Sequence, residues 1–368
     1  MKKTKLIVKT KSKIYPIIIG SNILKNTSSI LKSNNISFNK CLIIADKRVP
    51  KKNLLSLKKQ ILSKTKFTHL FNSSEKNKNQ QSVNIILNKL FKNNFNREDC
   101  IISLGGGITG DVAGYAASIY KRGLKFINIP STLLAQVDSS IGGKTGINNS
   151  YGKNLVGAFF QPDLVISDIN LLKSLSKREI ICGYGEIIKH SLIATKKTFN
   201  FLNKNKFKIL KLQSPYIEKA ISDSCKIKRN IVQLDEKEKN IRKVLNLGHT
   251  FAHAYEATLR YSGKLNHGEA VILGINSAVK FSLQNKLLNK NIHDQILSHI
   301  NHLKLPNNLN KYFNKKNISS IIKFMKSDKK NNSININLIL LKDIGKPVIN
   351  LNFKINKIQI FLKNELIN

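Results

Sequence analysis

The chain has 368 residues, 41% of them hydrophobic, with 63 Lys+Arg against 21 Asp+Glu for a formal net charge of +42. Its length favours two domains, each burying its own core. No apolar run approaches the ~18 residues of a membrane span, and the basic first 13 residues are not followed by a signal peptide's apolar stretch, so a soluble, cytoplasmic protein without a membrane partner is expected.

Such a charge would suit nucleic acid, but its placement argues otherwise. Residues 101–190 hold nine Lys+Arg and six Asp+Glu, a net of +3, which leaves +39 for the rest, in Lys- and Asn-rich stretches such as 204–211 and 329–337. That pattern reads as a solvated surface bias, and without interleaved aromatics or a nucleic-acid module no specific nucleic-acid partner is expected. Four scattered cysteines, with no Cys-x-x-Cys, signal neither a disulfide framework nor a thiolate zinc site.

In chain order, the β-branched runs 42–45, 101–104, 126–129 and 164–167 read as buried strands separated by helical segments, hence a parallel sheet. From 176 onward the periodicity becomes helical, in 179–195, 216–234, 248–259 and 269–283. The expected fold is α/β: an N-terminal Rossmann-like parallel-sheet domain over 1–175 and a mainly helical C-terminal domain over 176–368. A cleft between two such domains is the default site.

The strand at 101–104 enters a glycine turn, Gly105, Gly106, Gly107, Ile108, Thr109, Gly110, Asp111, that opens a helix. Backbone N–H groups and the helix dipole at such a turn suit a pyrophosphate, although the spacing is not Gly-x-Gly-x-x-Gly and a ligand-free tight turn fits equally. Asp46, after an earlier strand, is placed to accept from a ribose hydroxyl. Asp138, Lys144, Lys153 and Asn154 stand on or beside further glycine turns, where cations suit phosphate or carboxylate groups.

In the helical half, Glu186 and Lys189 share a face at i, i+3, as His249 and His253 do at i, i+4. His267 follows, so three of the eight histidines fall within nineteen residues. Glu, His and His with one open position form a catalytic zinc set, but spacing alone does not assign the ligands, and each histidine alone fits a core hydrogen bond.

The motifs Gly-Gly-Gly-Ile-Thr-Gly-Asp, Gln-Val-Asp-Ser-Ser-Ile-Gly-Gly-Lys-Thr, Gly-Lys-Asn-Leu-Val-Gly-Ala and Leu-Asn-Leu-Gly-His-Thr-Phe-Ala-His-Ala together resemble the 3-dehydroquinate synthase family, over about residues 40 to 345. The resemblance implies Glu186, His249 and His267 as ligands of zinc or cobalt, with His253 in proton transfer. It implies NAD across Gly105 to Asp111, with Asp46, Glu75, Lys78, Ser131, Thr132, Lys144, Lys153, Leu171, Leu172, Lys173 and Ser174 around it. The implied substrate contacts are Arg122, Asp138, Lys144, Asn154, Lys189, Lys228, Arg242, Asn246 and Lys329, a cationic set for one phosphate and one carboxylate.

Glu238 matches a family acidic position with changed neighbours. Three departures stand out: the loop 73–78 lacks the family's Asp-Gly start, Ser131 replaces a threonine, and Gly185 replaces an alanine. The implied reaction oxidises a hydroxyl with NAD, eliminates phosphate, reduces the ketone again and closes a carbocycle in a phosphorylated keto sugar acid; similar enzymes are homodimers. A different sugar phosphate cyclase or a polyol dehydrogenase of related fold are the enzyme alternatives.

Overall fold

Short β-branched runs separated by helices have one economical packing: strands side by side, with helices covering both faces. The computed structural model describes residues 3–327 and 335–366, and its chain forms two compact units, Met1–Ile180 with Ile221–Lys237, and Ile181–Ala220 with Glu238–Asn368.

The first unit holds β1 (Thr4–Lys9), β2 (Ile14–Gly20), α1 (Thr27–Ser33), β3 (Lys40–Asp46), α2 (Lys51–Gln60), β4 (Thr65–Phe71), α3 (Gln80–Lys92), β5 (Cys100–Gly105), α4 (Gly107–Ile119), β6 (Lys125–Pro130), β7 (Lys144–Asn149), β8 (Gly152–Phe159) and β9 (Leu164–Asp168). Seven strands make one sheet in the order β1-β2-β9-β6-β5-β3-β4. All neighbours are parallel except the β1/β2 hairpin; β7 and β8 pair separately, with Lys144 opposite Phe159.

The period of two decides the two cores. Ile43 and Ala45 join Leu57 and Leu104 on one face. Leu42 and Ile44 join Val83, Ile86 and Val112, from α3 and α4, on the other. Each fully buried Leu, Ile or Val side chain there contributes roughly 1.5–3 kcal/mol.

From β4 inward the sheet runs second strand, first strand, third strand, so its winding reverses between β3 and β5. In open α/β sheets a ligand crevice lies at that reversal, beyond the strands' C-terminal ends. Asp46 ends β3 there and Gly105 ends β5.

The second unit contains most of α5 (Lys177–Ala194), α6 (Lys196–Leu210), the start of α7 (Tyr216–Leu234), then α8 (His249–Thr258), α9 (His267–Gln284), α10 (Lys290–His302), α11 (Ile318–Ser327), the β10 (Asn335–Asp343) and β11 (Lys346–Lys354) hairpin, and α12 (Ile355–Glu365). α9 is buried nearly all round, which its apolar sequence demands. This is the expected architecture of parallel sheet followed by helices.

Residues 221–237, beyond the boundary expected at 175, pack with the sheet unit. There Glu236 accepts hydrogen bonds from Ser12 and from Gln161 Nε2, the latter at 2.8 Å. Among the described residues no helix is long and apolar enough to cross a membrane. The four cysteines are buried, and among the described residues none is joined in a disulfide.

Candidate active site

In the sheet unit, a Cβ on Gly105 would stand 2.5 Å from Thr109 Oγ1, so the turn from β5 into α4 requires glycine. Gly106 offers no side-chain cap to the 13-residue helix. The first N–H groups, with the helix dipole, therefore form an anion site at the sheet's switch point. Ser131 N donates to Gly105 O at 2.8 Å, and Thr132 lies beside Gly106, so Gly105 to Asp111, Ser131 and Thr132 come together. Asp46 is buried and accepts from Arg48 N at 3.0 Å and from its guanidinium at 3.2 and 2.9 Å; a ribose hydroxyl would share that carboxylate with Arg48.

The altered loop 73–78 is pinned to the β7/β8 hairpin. Buried Lys78 reaches Asp111 Oδ2 and Asn154 Oδ1, each at 2.5 Å. Glu75 contacts Lys153 Nζ at 3.3 Å and accepts from Asn148 Nδ2 at 2.8 Å. Burial raises the Asp111 carboxyl above the usual range, and the Lys78 ammonium pulls it the other way. Lys144 and Asp111 line one small pocket with Ser139 and Ser140.

Asp138 sits in a π-helical turn, Ala135–Ser139, a rare element frequent at functional sites. Lys228 Nζ donates to its carbonyl at 2.7 Å and to Oδ1 at 2.6 Å. Leu171 and Leu172 are buried, so only their backbone is available to a ligand, whereas Lys173 and Ser174 are exposed. Arg122 is exposed and precedes β6, at the sheet edge opposite the glycine turn. This unit does not bring it to the other predicted residues.

In the helical unit, Glu186 lies mid-α5 and is fully buried. His249 and His267 are the first residues of α8 and α9. Their Nε2 atoms stand 3.6 and 4.0 Å from Glu186 Oε1, and donor atoms from all three residues lie within 4.8 Å of one another. Burial holds His249 well below the usual imidazole range, and Lys189, His253 and His267 add to this. A neutral imidazole keeps the lone pair that a metal needs.

Among the described residues Glu186 Oε1 is buried without a hydrogen-bond partner, an arrangement that is costly unless a cation completes it. Three converging donors with a fourth position open fit a catalytic divalent-metal site.

His253 stands one turn along α8, its ring 5.4 Å from that of His249. Buried Lys189 pairs with Glu186. Buried Arg242 lies in the 3₁₀ segment Ile241–Asn246, and Asn246 Nδ2 donates to Glu238 at 2.5 Å. Lys329 lies outside the described residues. One residue escaped the sequence reading: Glu256, whose Oε2 is 2.9 Å from His267 Nδ1. Residues 249, 253 and 256 share one helical face, but that spacing does not separate a buried glutamate from a solvent-facing one.

Among solved structures, 2-deoxy-scyllo-inosose synthase, in complex with carbaglucose-6-phosphate, NAD+ and Co2+, matches with a TM-score of 0.87 at 24% identity, over 98% of this chain and 100% of that one. The 2-epi-5-epi-valiolone synthase of Streptomyces hygroscopicus subsp. jinggangensis 5008, with NAD+ and Zn2+ bound, matches with a TM-score of 0.84 at 21% identity, over 98% and 99%. The fold is that of the sugar phosphate cyclases. Within that class, the family models for the 3-dehydroquinate synthase N-terminal and C-terminal parts match residues 68–182 and 183–331. The 3-dehydroquinate synthase of Pelagibacter ubique (strain HTCC1062) is 60% identical over 98% of both chains. The chain belongs to the 3-dehydroquinate synthase family.

Proposed function

We propose that the protein converts 3-deoxy-D-arabino-heptulosonate 7-phosphate into 3-dehydroquinate and phosphate, acting as a carbon–oxygen lyase with NAD and one zinc or cobalt ion. The observation that carries this is the Glu186, His249 and His267 cluster, in which a carboxylate oxygen without a hydrogen-bond partner among the described residues faces two imidazoles. When bound, the ion supplies a Lewis acid for substrate hydroxyls, and the nicotinamide supplies a hydride acceptor restored in each cycle.

The chain's own side chains bind, orient and move protons. Arg242, Lys189 and Asn246 hold the substrate's carboxylate and hydroxyls, with Asn246 oriented by Glu238. Lys144 and Asn154 hold phosphate beside the cofactor turn, and Lys228 fixes Asp138. His253, next to His249, passes a proton. The protein acts in the cytoplasm as a homodimer, and its charge serves no specific nucleic acid or membrane.

The test mixes protein, metal, substrate and sub-stoichiometric NAD while phosphate and reduced cofactor are followed together. Many equivalents of phosphate per NAD, without build-up of reduced cofactor, are expected. One reduced cofactor per substrate consumed, without phosphate, would overturn the reading in favour of a dehydrogenase.

A further inference from the structure

His267 begins α9, and its side chain is 37% exposed. An imidazole can present either ring nitrogen to a metal, and the partner of one nitrogen decides what the other offers. Here Nδ1 meets Glu256: that residue is only 7% exposed, and its Oε2 stands 2.9 Å from His267 Nδ1.

A carboxylate accepts and does not donate, so the proton of the neutral ring is held on Nδ1. The lone pair is left on Nε2, the atom that faces Glu186 at 4.0 Å. His249 follows the same rule, its Nδ1 facing the Leu247 carbonyl at 3.3 Å and its Nε2 facing Glu186 at 3.6 Å. Two different acceptors thus impose one tautomer on the two histidines.

We propose that Glu256 is the positioning residue of the metal site, fixing ring orientation and tautomer of His267 through Nδ1. In this role it acts through His267 and is not itself a ligand. The proposal rests on the metal reading of Glu186, His249 and His267.

Groups that hold a ligating histidine typically change metal affinity on the order of 10–100-fold when removed. The test is zinc affinity of the metal-free protein, measured by chelator competition, for the parent, Glu256→Ala, Glu256→Gln and His267→Ala. Imidazole nitrogen NMR of the metal-free proteins reports the tautomer. Glu256→Ala should bind zinc on the order of 10–100-fold more weakly, with His267 shifting toward a mixture of tautomers and NAD affinity unchanged. Glu256→Gln fills the same space and its carbonyl oxygen still accepts, so it should lose less.

Parent-like zinc affinity and tautomer in folded Glu256→Ala, or in folded Glu256→Gln should the alanine variant not fold, overturns the proposal. In that case weakened binding by His267→Ala leaves the metal reading standing. A parent that binds no zinc overturns both.

Discussion

Gly268 lies against the backbone of Cys182 so closely that a Cβ on it would stand 2.1 Å from the Cys182 carbonyl oxygen. The contact sets how near α9 comes to α5, and Gly268 directly follows His267. Gly185, directly before Glu186 on α5, is fitted to the same approach, since its Cβ would be 2.8 Å from the Gly268 carbonyl. Backbone cannot move aside as a flexible side chain can. Gly268→Ala should therefore destabilise by about 1–3 kcal/mol and, by displacing His267 from Glu186, weaken zinc binding at least ~10-fold. Urea unfolding and chelator competition measure the two; a variant with parental zinc affinity would show that this approach does not set the ligand geometry.

Lys78 joins Asp111 and Asn154, and so ties the altered loop at 73–78 to both the glycine helix and the β7/β8 hairpin. Lys78→Met keeps the stem's volume and removes the charge, leaving the Asp111 carboxylate without its cation. Breaking a wholly buried pair costs about 3–5 kcal/mol; Asp111 retains 22% exposure, so a loss nearer 2 kcal/mol is expected. NAD affinity, read by fluorescence titration, should fall with it. Unchanged stability and unchanged NAD affinity would detach the loop from the cofactor site.

The sequence shows the parallel strands because their β-branched runs are continuous, and the helical half because its periodicity changes. Three things were not legible. The pairing of 221–237 with the sheet unit brings Glu236 to Ser12 and Gln161, and Lys228 to Asp138, residues far apart in sequence. Arg122 is implied by the resemblance alone, and where it would meet a substrate is not readable from the chain, since a 13-residue helix sets it about 20 Å from the glycine turn within this unit. Glu256 was overlooked because a glutamate on a helix face ordinarily marks solvent, whereas this one is buried by its hydrogen bond to a histidine.

Arg242 is among the largest fully buried side chains of the chain, and a guanidinium offers a carboxylate two parallel hydrogen bonds. A lysine substitution keeps the charge but not the fork. Arg242→Lys should raise KM for the carboxylate-bearing substrate by roughly 10-fold or more, as expected for a lost charged hydrogen bond, while zinc and NAD affinities stay parental. An unchanged KM would remove Arg242 from the substrate site.

Acid stability tests the packing around another buried histidine of the helical unit. His299, on α10, is buried between Tyr184, whose hydroxyl is 3.0 Å from Nε2, and Asn203, whose Oδ1 is 3.0 Å from Nδ1. Asn203 Oδ1 accepts from Nδ1–H and the tyrosine donates to Nε2, so the neutral ring is satisfied on both sides. Charging it in that setting is costly, and burial, with Lys206 and His302 nearby, lowers its pKa to about 3. In the unfolded chain the same ring takes its proton near 6.5. Between these values the unfolded state binds the extra proton, so the contribution of His299 is full above pH 6.5 and is lost as the pH falls toward 3. The slope is roughly 1.4 kcal/mol per pH unit within that window. His299→Gln removes the titrating group, so its unfolding free energy, from urea titrations between pH 7 and 4, should fall less steeply than the parent's by about that slope. Both proteins share every carboxylate, so acid effects from those groups cancel in the difference. Parallel curves for parent and variant would mean that His299 takes up its proton at the same pH folded and unfolded, and that the Tyr184 and Asn203 contacts do not hold it neutral.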